Sequence, residues 1–185
     1  MSEIAGILLA AGSSRRFGAD KRLSRLEDGT PMVLASARNL AAVCARTLAV
    51  IRPGDDQVAE LLAGAGLTTV ACAEAELGMG HSLACGVAAA ADAPGWLIAL
   101  ADMPYIQAGS YRSVLQAMVR GARIARPVHN GRPGHPVGFA ADCYAELVVL
   151  TGDRGGKAII DANPIAALAC PVDDPGVLKD IDRPV

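Results

Sequence analysis

The sequence contains few aromatic residues and lacks the long apolar runs of membrane proteins. Aromatic residues make up 3% of the 185 residues, whereas 52% are hydrophobic. The core must therefore be built mainly from Ala, Val, Leu and Ile, and alanine-rich segments favour helices. No apolar run reaches the roughly 18 residues of a membrane span, and the first residues lack the basic region of a signal peptide. We therefore expect a cytoplasmic protein that does not bind a membrane.

The chain also lacks an excess of positive charge and a paired pattern of cysteines. Its formal net charge is −2, so there is no overall basic field of the kind that indicates nucleic-acid binding. The five cysteines are scattered, and none forms Cys-x-x-Cys. This pattern indicates neither a disulfide framework nor a zinc site, and it is typical of buried thiols in a reducing compartment. The length and the absence of repeats or linkers predict one domain, residues 1–185.

A Gly- and Ser-rich loop with three cations follows the first apolar run. The run Ile4 to Ala10 is typical of a buried strand, and the loop after it contains Arg15, Arg16 and Lys21. Backbone N–H groups in such a turn can cradle an anion, and the cations supply charge for phosphate. The spacing of the glycines does not fit a P-loop. It does not fit a dinucleotide-binding fingerprint either, because Ser14 stands where that fingerprint has its second Gly. The loop is therefore a phosphate cradle of another kind, or a turn with a solvated basic edge.

Strands and helices alternate through the first half of the chain. Apolar runs over residues 48–51, 67–71 and 96–101 predict strands, and the helices are expected to end near Ala45, Leu62 and Ala91. Asp55 is the candidate N-cap of the second of these helices. This alternation predicts a parallel sheet that is covered by helices on both faces. Farther along, Asn130-Gly131 follows another predicted strand and indicates a tight turn into an antiparallel strand. A short helix is expected over residues 142–150.

Two further positions carry polar groups where open α/β sheets bind ligands. Asp102 directly follows the predicted strand 96–101, and Asp is a poor strand residue. It is either a ligand for Mg²⁺, which prefers one or two carboxylates plus phosphates, or the N-cap of a helix that starts near Ile106. Gly80 and Ser82 open the helix that follows the third strand, where an anion would be favoured. The alternative role for Ser82 is a simple helix cap.

Several blocks resemble one family of nucleotidyltransferases. Residues 8–21 read Leu-Leu-Ala-Ala-Gly-Ser-Ser-Arg-Arg-Phe-Gly-Ala-Asp-Lys and resemble the signature loop of the enzymes related to molybdenum cofactor cytidylyltransferase. The blocks over 78–83, 100–104 and 134–138 and the ending Asp180-Ile181-Asp182 extend the resemblance over nearly the whole chain, although Arg183 stands where the family has Thr. The resemblance implies a single three-layer α/β/α sandwich, Rossmann-like and similar to nucleotide-diphospho-sugar transferases. Its sheet should be mostly parallel with one antiparallel strand.

The resemblance also implies roles for individual residues. Asp102 and Asp182 are expected to hold Mg²⁺, with Asp180 as the alternative second carboxylate. Arg16, Lys21 and Asp102 are the implied catalytic residues. His135, Arg154 and Lys157 are implied to face the acceptor, but His135 can equally be bonded to backbone at a strand start, and the two cations can simply be solvated. The residues expected to bind the nucleotide are Leu9, Ala10, Ala11, Gly12, Ser13, Ser14, Arg15, Arg16, Lys21, Gly80 and Ser82.

The activity implied by the resemblance is transfer of CMP from CTP to the phosphate of a molybdopterin-type cofactor, with release of pyrophosphate. The sequence Ala-Ala-Gly at residues 10–12 matches the cytidylyltransferase branch, since the guanylyltransferase branch has Leu-Ala-Gly-Gly in this loop. Implied partners are a molybdoenzyme or its maturation chaperone. The alternatives are a guanylyltransferase of the same cofactor, a sugar-phosphate nucleotidyltransferase, and a cofactor-binding accessory protein without turnover.

Overall fold

Eight strands form one mixed sheet in the computed structural model, which describes residues 3–12, 20–163 and 167–181. The strands are β1 Ala5–Leu9, β2 Thr47–Ile51, β3 Thr68–Ala71, β4 Gly95–Leu100, β5 Ile124–His129, β6 Arg132–Pro133, β7 Val137–Ala140 and β8 Ala167–Pro171. Their order in the sheet is β3-β2-β1-β4-β7-β5-β6, and β8 also pairs with β5. The mostly parallel sheet that the sequence predicts is confirmed. In addition to the antiparallel β7, the two-residue β6 also runs antiparallel to β5.

Helices cover both faces of this sheet and complete the predicted three-layer sandwich. Because successive side chains of a strand point to opposite faces, Leu8 and Ile7 of β1 enter different cores. In the described part of the chain the α-helices are α1 Met32–Ala41, α2 Asp56–Gly64, α3 Met79–Ala89, α4 Ala108–Val119, α5 Tyr144–Leu147 and α6 Lys157–Ala162. Leu8 belongs to the core formed with α1, α2 and α4, and Ile7 belongs to the core formed with α3, α5 and α6.

The predicted elements exist, and the differences lie at their ends. The hairpin after β5 is confirmed, and both turn residues, Asn130 and Gly131, have positive φ, as this tight turn requires. The helix expected over residues 142–150 is a one-turn 3₁₀ segment, Ala141–Cys143, followed by α5. Asp55 occupies the N-cap position of α2, as predicted, but it makes no capping hydrogen bond, because its carboxylate binds two arginines instead.

One edge of the sheet collects the segments that carry the candidate site. β1 runs parallel to β2 and β4, so the loops after Leu9 and after Leu100 leave the sheet at the same edge. β7 runs antiparallel to β4, so His135, just before β7, lies at this edge as well. Open α/β sheets bind their ligands at the carboxyl ends of the parallel strands.

Close packing of α3 on β1 and β2 predicts a stability difference between two glycine substitutions. A Cβ on Gly86 would lie 2.8 Å from methyl groups of both Ile7 and Val50. Gly86→Ala should therefore destabilise the protein by roughly 1–2 kcal/mol, because overpacking against two methyl groups, at about 2–3 kcal/mol, outweighs the helix-propensity gain of about 1 kcal/mol. Gly109→Ala in α4 is the control, since a Cβ there would meet no atom of the described chain within 4 Å. Chemical denaturation measures both; an unchanged stability of Gly86→Ala would contradict the packing.

Candidate active site

An ion pair joins the two loops that follow the central strands. Lys21 Nζ lies 3.3 Å from Asp102 Oδ2, and the two side chains are 14% and 35% exposed. Lys21 begins a one-turn 3₁₀ helix, Lys21–Leu23, and Asp102 follows β4. The parallel pairing continues beyond the strands, since Ala101 N–H donates to Leu9 O at 3.1 Å. Two predicted site residues that are 81 positions apart in sequence therefore meet at the carboxyl edge.

The backbone around Asp102 is held from two sides. Ser36 Oγ of α1 donates to Ala101 O at 2.9 Å, and Asn39 Nδ2 donates to Pro104 O at 2.9 Å. From the other side, Ile181 N–H donates to Asp102 O at 3.0 Å. These bonds fix the direction in which the carboxylate leaves the sheet.

The alternative role of Asp102 as a helix N-cap is wrong. The next α-helix is α4, whose N-cap is Gln107. The backbone N–H of Gln107 and the hydroxyl of Ser110 donate to the buried carboxylate of Asp174. Asp174 therefore supplies the oxygen that this helix start needs, and Asp102 is left at the edge of the sheet with Lys21.

His135 lies near Asp102, and its side chain is half-buried. Its backbone N–H donates to Val177 O at 3.0 Å, whereas its buried ring Nδ1 has no hydrogen-bond partner among the described residues. Burial lowers the pKa of His135 to about 4, although the neighbouring charge of Asp102 acts in the opposite direction. The ring is therefore neutral at neutral pH and adds a polar but uncharged group to the site.

The loop over residues 151–156 packs on the start of α3. Gly80 N–H donates to Gly152 O at 2.7 Å, and Gly152 N–H donates to His81 Nδ1 at 3.3 Å. A Cβ on Gly80 would lie 2.7 Å from Thr151 O, so close packing already requires glycine there. Ser82 is buried in the same first turn. His81, for which the sequence suggested no role, links the two segments through its ring.

Arg154 and Lys157, the cations predicted to bind the acceptor, both pair with a carboxylate of the protein. Both side chains are 71% exposed, and both pair with Asp161, at 3.0 Å and 2.7 Å. These contacts match the solvated alternative as well as a surface that could receive an anion, so contact with an acceptor stays a prediction for both residues.

Arg22 and its partners form a buried cluster that the sequence analysis missed. Arg22 is 4% exposed, and its guanidinium donates to the carboxylates of Asp20 and Asp55 and to Ala10 O. Burial alone would lower the pKa of Arg22, but the two carboxylates raise it above its ordinary value. For the carboxyl group of Asp55, burial acts in the opposite direction and would raise the pKa. Hydrogen bonds from Arg22 and Arg52 instead hold the pKa of Asp55 well below its usual range. No motif pointed to Asp55, because its partner lies 33 residues away.

The remaining predicted nucleotide residues fall into two groups. Leu9, Ala10 and Ala11 are buried at the end of β1, and a Cβ on Gly12 would meet no atom of the described residues within 4 Å. The predicted residues Ser13, Ser14, Arg15, Arg16 and Asp182 lie outside the described residues, and their roles stay predictions.

Two other kinds of site are absent from the described ranges. Within residues 3–12, 20–163 and 167–181, no group of three or more His, Cys, Asp or Glu residues is arranged to hold a metal ion. In the same residues, no helix combines the length and the apolar character that crossing a membrane would take. A Mg²⁺ site built from one or two carboxylates and the phosphates of a nucleotide needs no such cluster, and the carboxylate of Asp102 fits that requirement.

Comparison with known proteins identifies a family that covers most of the chain. The family described as "MobA-like NTP transferase domain" matches residues 6–168. Two curated relatives match over nearly their full length. "Purine catabolism protein PucB" of Bacillus subtilis is 26% identical over 97% of this chain and 91% of its own. "Molybdenum cofactor cytidylyltransferase" of Escherichia coli is 27% identical over 94% of each chain.

Solved structures have the same fold. The protein Rv0371c of Mycobacterium tuberculosis superimposes with a TM-score of 0.85 at 23% identity, over 98% of this chain and 94% of its own. A second structure of that protein, in complex with manganese, has a TM-score of 0.76 at 23% identity over 92% and 89% of the two chains. These likenesses confirm the α/β fold.

The burial of His135 predicts an unusual titration. In the folded protein its ring should titrate near pH 4, against about 6.5 in an unfolded chain. Because the unfolded state then binds more protons between these values, the stability contributed by the neutral ring is complete above about pH 6.5 and is lost as the pH falls toward 4. NMR titration of the ring protons measures the midpoint; a value near 6.5 would show that the ring is solvated.

Proposed function

The chain belongs to the MobA-like NTP transferase domain family, and we propose that it transfers CMP from CTP to the phosphate of a molybdopterin-type cofactor, releasing pyrophosphate. The coarse activity, nucleotidyl transfer, follows from the family. The identities of the base, the acceptor and the metal are what we propose beyond it. The observation that carries it is the pairing of Lys21 with Asp102 at the carboxyl edge of β1 and β4, which unites a cation for phosphate with a carboxylate for a metal.

Mg²⁺ is the proposed cofactor. Asp102 and Asp182 would hold it, and when bound it would supply neutralisation of charge on the nucleotide phosphates. The hydrogen bond from Ile181 N–H to Asp102 O supports Asp182 as the second carboxylate, because Asp182 is the next residue of the chain. Asp180, on the other side of Ile181, is exposed and is the weaker alternative.

The chain's own residues would act by positioning and by charge. Phosphoryl-type transfers ask the protein mainly to align the reactants and to stabilise negative charge. Lys21 would bind the triphosphate, together with the backbone that follows β1. The acceptor's phosphate already carries an anionic oxygen, so no protein nucleophile is needed. The neutral ring of His135, whose Nδ1 has no hydrogen-bond partner among the described residues, would give the acceptor a hydrogen-bonding group without adding charge.

The choice of cytosine rests on the loop after β1. Ala11 is 3% exposed at the start of this loop, and its methyl group would restrict the space available to a base that lies along the loop. A glycine there would open that space and free the backbone. A cytidylyltransferase is also one of the curated relatives, over 94% of both chains. GTP is the alternative nucleotide, and a sugar phosphate is the alternative acceptor.

A protein that only binds the cofactor is the alternative from a different class. The test is pyrophosphate release from CTP in the presence of the molybdopterin-type cofactor and Mg²⁺. Turnover that needs both substrates supports the enzyme. Tight binding of the cofactor without any pyrophosphate would favour the accessory protein.

Lys21→Ala should weaken binding of CTP by tenfold or more. Loss of one charge-assisted contact to a phosphate costs about 1.5–3 kcal/mol. Calorimetry measures the affinity, and the thermal melt should stay close to wild type. Arg46→Ala is the control, because Arg46 pairs with Asp92 just before β2, at the opposite edge of the sheet. Equal affinities of Lys21→Ala and wild type would remove Lys21 from the site.

Asp102→Asn should abolish turnover and leave the fold intact. Asn keeps the size of the side chain but removes the charge that a metal requires. The matched control is Asp92→Asn, which removes an exposed carboxylate paired with Arg46 ahead of β4. Wild-type pyrophosphate release by Asp102→Asn at limiting Mg²⁺ would show that the metal assignment is wrong.

Ala11→Gly should narrow the preference for CTP over GTP. Exclusion by apolar shape is worth about 1–3 kcal/mol, or roughly 10- to 200-fold. The measurement is kcat/KM for both nucleotides with the same acceptor, in wild type and in the variant. If wild type used GTP as well as CTP or better, the cytidylyltransferase proposal would fail and the family's general activity would stand.

A further inference from the structure

We propose that Arg22 is a positioning residue that anchors both ends of the loop between Ala10 and Asp20, and that it does not bind phosphate itself. Arg22 stands next to Lys21 in a segment rich in cations, so its position in the sequence favours a phosphate ligand. The contacts of its guanidinium point to a different role. This inference rests on the proposed function, because the loop is the proposed triphosphate site.

The guanidinium of Arg22 touches the loop at its start and at its end. Nη1 donates to Ala10 O at 2.6 Å, directly after β1. Nε donates to Asp20 Oδ1 at 2.9 Å, and Nη2 donates to Asp20 Oδ2 at 2.5 Å. A single side chain therefore holds the two residues that bound the loop, and this fixes how far apart the loop ends lie.

The same guanidinium ties the loop to a neighbouring strand. Nη1 and Nη2 donate to the two oxygens of Asp55, at 2.5 and 2.9 Å, on the turn between β2 and α2. Asp55 also accepts two hydrogen bonds from the side chain of Arg52, and Arg52 lies 3.5 Å from Asp20 Oδ2. Fork-to-fork contacts of this kind fix geometry as well as charge.

The charges within this group of four residues cancel. Two arginines, Arg22 and Arg52, share two carboxylates, those of Asp20 and Asp55. Arg22 is 4% exposed, so its donors are directed into protein and away from solvent. Such a guanidinium adds little positive potential for a triphosphate, but it gives the loop a rigid attachment.

The anchoring reaches the proposed active site through Lys21. The carboxylate of Asp20 also caps the 3₁₀ turn by accepting from Arg22 N–H at 3.0 Å. Lys21 is in the same turn and pairs with Asp102. With Arg22 held inward, the turn directs the preceding side chain toward the carboxyl edge of β4.

Substitution of Asp55 distinguishes an anchoring role of Arg22 from a phosphate-binding role, because the two roles predict opposite changes in the KM for CTP. Asp55→Asn keeps the size of the side chain but removes the charge that restrains Arg22. If Arg22 anchors the loop, the KM for CTP should rise about tenfold, with kcat changed less than threefold. If Arg22 is a restrained phosphate ligand, release from Asp55 should lower the KM.

Arg22 variants and a stability control complete the test. Arg22→Met should raise the KM for CTP by at least as much as Asp55→Asn, and the double variant should be no worse than Arg22→Met, because both changes break one attachment. Arg22→Lys, which keeps a charge but cannot reach three partners, should be intermediate. Val114→Ala, a change to a buried residue of α4, lowers the melting temperature without touching the cluster and should leave the KM unchanged.

The outcomes distinguish this inference from the proposed function. If wild type does not release pyrophosphate from CTP, the proposed function fails, whatever the variants do. If wild type turns over and Asp55→Asn has an unchanged or lower KM, the anchoring role is overturned. The same holds if Val114→Ala raises the KM as much as Asp55→Asn does at a matched loss of melting temperature. Should Arg22→Met not fold, the result for Asp55→Asn still decides.

Discussion

Parallel pairing of β1 with strands on both of its sides is the constraint on which the site depends. The register aligns the ends of β1 and β4, with Leu9 opposite Leu100. Two loops that are distant in sequence must therefore leave the sheet next to each other, one with Lys21 and the other with Asp102. Parallel strands buried on both faces need helices above and below, and the two cores around Leu8 and Ile7 meet that need.

Charge is distributed unevenly around this edge of the sheet. Lys21 faces Asp102, whereas Arg22, the next residue, turns inward to Asp20 and Asp55. The two neighbouring cations therefore have different roles: Lys21 lies at the proposed reaction centre, and Arg22 holds the adjoining backbone in place. Near Asp102, the neutral ring of His135 contributes polarity without charge. The arrangement suits a reaction in which the substrates bring most of the negative charge and the protein supplies alignment.

Much of the fold could be predicted from the sequence, because its signals are local. Apolar runs separated by Gly and Pro marked the strands, and Asn130-Gly131 marked the hairpin. The alignment of Asp102 with the first loop also followed, since parallel strand ends share one edge. Contacts between distant residues could not be predicted. Asp55 had the local signature of a helix cap, but its carboxylate binds an arginine from another loop, and nothing near His81 in sequence indicated its bond to Gly152.

The most direct test of the central claim follows the phosphorus atoms of CTP. The molybdopterin-type cofactor and Mg²⁺ are incubated with wild-type protein and CTP that is labelled at either the α- or the γ-phosphate, and the products are separated. Nucleotidyl transfer predicts that the α-label moves to the cofactor while the γ-label leaves as pyrophosphate, in equal amounts. Appearance of the γ-label as inorganic phosphate, or retention of both labels in CTP, would contradict the account.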